Sequence, residues 1–498
     1  MSSIRNYISI EPKKWATTLA IITTICGIYQ LLLGEDFFTL VYALFGIYVS
    51  LFVFSRFKAT NSGAWVLFFY VFGNTLFAVI LKTILSQTLS SYAYSAQASY
   101  FVEMLGIFTL CLALLSVSKL GVGRPIFVPL LDIDRLNIFS IVTFVVGCIG
   151  WKFSGALDIS NGIGVGNGFS TFRDAFFMSI ICRTAVLILK GKTKYPFDFI
   201  LFVMITIAVF LGSLDNSKTY VALPVIAYIL TIVFFKKAIP IGYVVSIAIA
   251  GEIFSNLIVP LIQALRYFGQ QALGFSARID LVVRGFEALI SGNGLAAYMK
   301  NTATLWGGDY YQYFGPNGFG QNLAGRYASI QQIDPVIAAA QKFGQFDYPL
   351  FVNAIKGSIP SILYHQKPMF GSSFDILVHY GLIPYYSGKF PTLPLVGQTY
   401  AVYGLVGGCV ATFLVFFVFL LFLKKIGFDL YRNVFAIFFV VQFTIVYASQ
   451  GVIEQYLDQT LREFPTWIIL FIIIQKLPKR MLLIRSTHRL EKPSHVLR

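Results

Sequence analysis

The residues best suited to chemistry in this sequence are the arginines Arg278, Arg284 and Arg326, in a long stretch, 263–395, that also holds His365 and His379. A guanidinium is permanently charged and grips phosphate through two parallel N–H bonds, so it can stabilise charge developing on a phosphate leaving group. Arg284 has ordinary helix-surface partners in reach, Asp280 four residues before it and Glu287 three after it. Arg326 has no acid near it before Asp334. A hydroxyl attacking beside such a leaving group needs a general base. Asp215, Asp334 and His365 are the candidates, among a wider set that includes Asp280, Glu287, Asp309, Asp347, Asp375, Glu454, Asp458 and His379. Asp215 opens the tight turn Asp215-Asn-Ser-Lys218, where Lys218 adds a cation at the level of a lipid head group. His365 has an imidazole suited to proton transfer near neutrality. The sequence does not choose among them.

Other residues widen the set. The run from Trp306 to Gly320 is rich in aromatic residues and glycine, and Trp306 and Tyr310 offer flat walls to a sugar ring or anchors for a membrane interface. Arg173, Asp174, Arg183 and Glu252 fall inside apolar runs, where ionisable groups are costly and default to functional candidates. Arg183 lies about 15 Å deeper along its helix than Arg173. It is expected either to pair with Glu252 or to meet a phosphate. Cys26, Cys111, Cys148, Cys182 and Cys409 all lie in apolar segments, with no metal-ligand spacing. The Asp-x-Asp pair Asp132-Ile-Asp134 sits beside Arg135 and reads as a helix start capped by Asp134. No P-loop, dinucleotide cradle or nucleophile elbow occurs, so neither metal nor cofactor is expected.

The elements that must position these groups are set by composition. Of 498 residues, 57% are hydrophobic and 12% charged, and the mean hydropathy is +0.74. A soluble domain carries about 25% charge, so soluble enzymes and disordered chains are excluded. Apolar runs near 15–33, 37–55, 64–85, 101–118, 136–153, 171–189, 197–214, 219–235, 239–262, 396–423, 432–452 and 463–475 give an all-α polytopic integral membrane protein with about twelve transmembrane helices. The first run is too long for a signal peptide and reads as an uncleaved anchor.

The net charge of +16 lies in clusters between runs, which is topology information and not a nucleic-acid footprint. Arg56/Lys58, Lys119/Arg124/Arg135, Lys190/Lys192/Lys194, Lys236/Lys237 and Lys424/Lys425/Arg432 mark alternate connections, together with both termini. By the positive-inside rule both termini are cytoplasmic. Residues 1–262 then form a membrane domain of about nine helices, and 263–395 one large periplasmic loop with short helices on the membrane face. Residues 396–475 supply about three further helices, and 476–498 a basic cytoplasmic tail. The loop has no Asn-x-Ser/Thr sequon, which favours a bacterial periplasm, and no transporter-like internal repeat is visible.

The segment from Phe390 to Gly408, entering the tenth run, resembles the stretch after the large periplasmic loop in Wzy-type O-antigen and oligosaccharide repeat-unit polymerases. Pro391, Pro394, Gly397, Tyr400, Gly404 and Gly407 match that pattern, while Gln398 stands where an acid is expected. The helix layout matches along the whole chain; the motif covers about 20 residues. The resemblance implies metal-independent, inverting glycosyl transfer at the outer leaflet of the bacterial inner membrane. A growing glycan moves from undecaprenyl pyrophosphate to a new lipid-linked repeat unit. The partners it implies are that lipid-linked oligosaccharide, the bilayer and a chain-length regulator. Arg278, Arg284, Arg326, Arg183, Lys218, Trp306 and Tyr310 would contact substrate. An O-antigen ligase or a repeat-unit flippase are the competing readings; a flippase would line a central cavity with mid-membrane charges.

Overall fold

The computed structural model describes residues 11–121, 133–154, 172–191, 196–214, 218–235, 313–314, 328–359, 364, 371–383, 392–427, 437–439 and 451–476. Regular structure among them is entirely helical. Among the described residues six helices are long and apolar enough to cross a membrane. They are α1 (Pro12–Leu32), α2 (Phe37–Arg56), α3 (Ser62–Ile84), α4 (Ala96–Lys119), α5 (Ile133–Ser154) and, later, the 32-residue Leu395–Ile426. Shorter apolar helices lie between: α6 (Ala175–Leu189), α7 (Phe199–Leu214) and α8 (Lys218–Phe235). Three further helices follow, α9 (Ile330–Phe343), α10 (Leu350–Ser358) and α11 (Ser372–His379). Leu395–Ile426 is α12, and 453–476 form α13, whose middle turn Gln459–Glu463 is π-helical.

Local chemistry sets the helix ends. The Asp36 carboxylate accepts the Thr39 N–H at 2.9 Å and starts α2; Asn61 does the same for Ala64 at 3.0 Å and starts α3. Gly427, with φ 83°, closes α12 with bonds to the Leu423 and Lys424 carbonyls. The Lys424 ammonium also donates to the carbonyls of Val117, Ser118 and Leu120 at 2.7, 3.0 and 2.7 Å, closing the last turn of α4. Asp134 lies inside the first turn of α5, not at its cap.

Packing is mostly between sequence neighbours. α1 packs on α2, α2 on α4, α5 on α6 and α7 on α8, while α4 also packs along α12. The contact of α4 with α12 needs glycine: a Cβ on Gly106 would stand 2.4 Å from Val396 Cγ2. Aromatic contacts join the earlier helices to later ones, with Trp65 against Phe234, Phe139 against Phe471, and Phe172 against Trp467.

The tenth apolar run is not one straight helix. Gly404 has φ 69° and ψ −165°, a region essentially reserved for glycine. The chain folds back there, so the Thr399 and Thr412 hydroxyls meet at 2.8 Å. Thirteen residues of straight helix would hold them about 20 Å apart. The close return also requires Gly408, whose Cβ would lie 3.2 Å from the Thr399 and Tyr400 backbone.

Candidate functional site

At the end of the bundle opposite Lys424, three ionisable side chains from distant parts of the chain share one polar layer. Lys82, in the last turn of α3, is fully buried. Its ammonium donates to the Ser91 carbonyl and, at 3.2 Å, to the Ser91 hydroxyl, and it stands 4.1 Å from the centre of the Tyr313 ring. Glu35 and Asp334 are its anionic neighbours. The Glu35 carboxylate accepts the N–H and hydroxyl of Ser90. Tyr313 meets the Tyr100 hydroxyl at 2.9 Å, and Gln30 ties α1 to Thr83, Gln87 and Leu89.

Asp334 is 1% exposed and stands at the start of α4. Its carboxylate accepts the Tyr94 N–H at 2.6 Å, the Ser95 N–H at 3.0 Å and the Ser99 hydroxyl at 2.7 Å. A helix start has unsatisfied N–H groups and a partial positive charge, so a carboxylate docks there readily. Burial pushes the Asp334 pKa above the ordinary carboxyl value, and the three donors and the Lys82 charge oppose that rise. To act as a base, this carboxylate would have to give up donors that fasten α9 to α4. Its geometry is that of an anchor. The neighbouring Ser329 N–H bonds the Gly73 carbonyl at 3.1 Å, in the π-helical turn Phe72–Leu76 of α3.

Glu103, seven residues into α4, is a second buried ionisable group that the sequence reading passed over, as it did Lys82. It is 0% exposed, and neither carboxyl oxygen has a hydrogen bond. The Tyr70 hydroxyl is its nearest polar neighbour, though the geometry falls short of a hydrogen bond, and Tyr456 lies close by. The signal was available: an acid well inside a membrane-length apolar helix is a functional candidate by default.

Gln398 stands at the hub of a further network. Its Nε2 donates to the Ser372 and Ser373 hydroxyls at 2.8 and 3.1 Å and lies 3.4 Å from Glu454 Oε2, while its Oε1 accepts the Ile453 N–H at 2.8 Å. Glu454 in turn accepts the Ser372 N–H at 2.6 Å. One buried amide thus holds α11, α12 and α13 together. An amide suits this place because it donates and accepts at once; a carboxylate here would face Glu454.

The Arg183 pairing differs from expectation. Its guanidinium forks onto the Asp198 carboxylate and also donates to Asn137 Oδ1 at 2.5 Å. Asp198 additionally caps α7 by accepting the Leu201 N–H at 2.9 Å. Asp198 immediately precedes α7, and this occupied guanidinium ties α5 and α6 to the start of α7. Arg462, in the π turn of α13, pairs with Asp458 at 2.5 Å and lies 3.8 Å from Glu463. Asp174, beside Arg173 at the start of α6, is buried and adds its charge to the surroundings of Glu463.

Asp215, Glu252, Arg278, Arg284, Trp306, Tyr310, Arg326 and His365 lie outside the described residues. Lys218 is the first residue of α8. Among the described residues no group of three His, Cys, Asp or Glu side chains is placed to hold a metal ion. The chain defines a helical membrane protein. No protein-family model matches it, and neither does any curated protein or solved structure.

Proposed function

We propose that this chain polymerises lipid-linked oligosaccharide repeat units at the outer face of the bacterial inner membrane. In this reading about twelve helices span the bilayer, both termini are cytoplasmic, and 263–395 form the periplasmic loop. The acceptor hydroxyl of a new repeat unit attacks the anomeric carbon of the growing glycan. The bond from that carbon to the pyrophosphate oxygen breaks, and undecaprenyl pyrophosphate leaves with its charge held by arginines; the hydroxyl proton passes to a base. Arg278, Arg284 and Arg326 are the proposed cations, and Asp215 and His365 the bases to test first. Asp334 takes a positioning part, because its carboxylate is already bonded to three donors. A chain-length regulator would act on the periplasmic side.

One observation carries the reading. The glycine-bearing segment that resembles the polymerase motif is a built structural device: Gly404 folds it back, Gly408 lets it pack on itself, and Gln398 fastens it to the loop helix α11. In this reading the contact would hold the loop against the membrane mouth, where a lipid-linked substrate would present its sugar. Surface-polysaccharide profiling in a deletion strain tests the proposal. Loss of a polymerase leaves single repeat units attached to the lipid A core. A deletion that leaves no repeat units attached would mean a flippase, and unaltered long chains would remove the proposal.

A further inference from the structure

Beside the folded-back helix, residues 344–353 run across the short arm of α12. The Phe346 N–H donates to the Ala401 carbonyl at 2.8 Å, and the Tyr380 hydroxyl reaches the carbonyls of Ala401 and Gly344 at 3.2 and 3.0 Å. Loop groups therefore supply partners to the helix where Gly404 ends its regular bonding. This docking fixes two aromatic stacks. Phe346 stacks on His379 at 3.9 Å and on Tyr348 at 5.2 Å; Phe351 stacks on Tyr403 at 5.9 Å with 29° between planes.

Polar groups join the stacks. The Tyr348 hydroxyl donates to Asp375 Oδ2 at 2.6 Å, and Asn353 stands two residues past Phe351 on α10. Burial and the Asp375 bond push the Tyr348 phenol upward, so it stays a proton donor. The assembly is open to solvent: Tyr403 is 37% exposed, His379 and Asp347 are exposed, and Asp375 and Asn353 are half-buried.

This combination favours a sugar over a lipid surface. An interfacial belt pairs aromatic rings with Lys and Arg, and anionic head groups repel carboxylates. The carboxylates beside the rings are Asp347 and Asp375, with Glu454 adding to the negative field at Tyr348, while the cations Lys342, over the Phe343 ring at 5.0 Å, and Lys356 stand at the ends of α9 and α10. Aromatic faces take the C–H face of a sugar ring, while carboxylate and amide oxygens take its hydroxyls.

We propose that this surface is an oligosaccharide subsite, with Phe351 and Tyr403 seating a sugar ring and Asp375 and Asn353 holding its hydroxyls. It rests on the proposed function for its ligand class alone and needs none of the transfer chemistry. The test uses full-length protein in nanodiscs and the soluble oligosaccharide released by mild acid from the producing strain's lipid-linked repeat units. Saturation-transfer NMR and calorimetry should show binding. Tyr403→Ala and Asp375→Asn should each weaken it about tenfold or more, while Val352→Ala, exposed nearby, should not change it. Correct folding of each variant is checked by its elution and melting temperature. Two results would overturn the subsite: no binding by the wild type, or equal binding by all four proteins. Strong quenching by brominated lipids of a tryptophan introduced as Tyr403→Trp would also overturn it and reassign the stacks to membrane anchoring. Unaltered polysaccharide in a deletion strain would remove the polymerase reading and leave a positive binding result standing.

Discussion

Gly404→Ala asks a residue with a Cβ to hold φ 69° and ψ −165°. Only glycine occupies that region at little cost, and another residue there is strained by about 3 kcal/mol. Space is not the obstacle. The atom nearest the added carbon would be Nε2 of Gln345 at 3.3 Å, the free end of a flexible side chain. The strain is therefore in the backbone, and the chain relieves it by letting the helix run straight. About 3 kcal/mol corresponds to roughly a 150-fold change in the balance of folded-back and straight forms. The two forms differ grossly at residues 399 and 412, whose hydroxyls are now 2.8 Å apart and would separate to about 20 Å. A Thr399→Cys/Thr412→Cys pair reads the difference after the native Cys26, Cys111, Cys148, Cys182 and Cys409 are replaced. Oxidation in membranes should join the pair efficiently when Gly404 is present, since the geometry suits a disulfide. Adding Gly404→Ala should cut the cross-link severely. Gly357→Ala, on α10 with nothing within 4 Å of its added carbon, should leave it unchanged. Cross-linking that ignores Gly404→Ala, or that fails with Gly404 in place, would refute the fold-back.

The remaining predictions concern the anchors and the chemistry. Burial outweighs the donors and holds the folded Asp334 carboxyl above the ordinary value that it has in the unfolded chain. In the window between those two values the folded chain keeps a proton that the unfolded chain has lost, so stability should fall as pH rises through it and level off above. Thermal melts of Asp334→Asn should lack that slope, and Asp334→Ala should cost about 1–3 kcal/mol by removing the acceptor of the Tyr94 and Ser95 N–H groups and the buried Ser99 hydroxyl. Arg183→Met or Asp198→Asn alone should destabilise by about 3 kcal/mol, because each leaves a poorly partnered group in the interior, while the double variant should recover much of the loss. Denaturant titration in detergent separates these outcomes. Gln398→Glu should lower the melting temperature by facing Glu454 with a second carboxylate, and adding Glu454→Gln should restore most of it. Purified protein given lipid-linked repeat units should polymerise them in excess EDTA; activity lost to chelation and regained with magnesium would remove the arginine-based mechanism.

The helices were legible because hydropathy alone bounds them. The runs expected at 37–55 and 197–214 are observed as Phe37–Arg56 and Phe199–Leu214. What hydropathy cannot report is a change of direction inside a continuous apolar run. Residues 396–423 read as one span since nothing polar interrupts them, and only the glycines hinted at Gly404's backbone. Arg183 was expected opposite Glu252 because both lie in apolar runs. Its partner Asp198 lies 15 residues on, immediately before α7, within reach of the long guanidinium arm. Lys82 and Glu103 were missed because each sits near the edge of the apolar run as hydropathy bounds it, although the helix around Glu103 extends back to Ala96. Asp334 was visible as an acid but not as a helix cap, since its donors at Tyr94 and Ser95 lie 240 and 239 residues away.

The fold-back also settles a question of length. A straight helix of 32 residues would reach about 48 Å, against a hydrocarbon core of about 30 Å. Such an excess would force steep tilting or local thickening of the bilayer. Turning at Gly404 leaves residues 405–426, about 22 of them and about 33 Å long, to cross. The surplus turns, residues 395–403, fold back against the first turns of that span. Hydrophobic mismatch is thus relieved inside the protein, and the length freed from spanning becomes a docking surface for Phe346 and Tyr380.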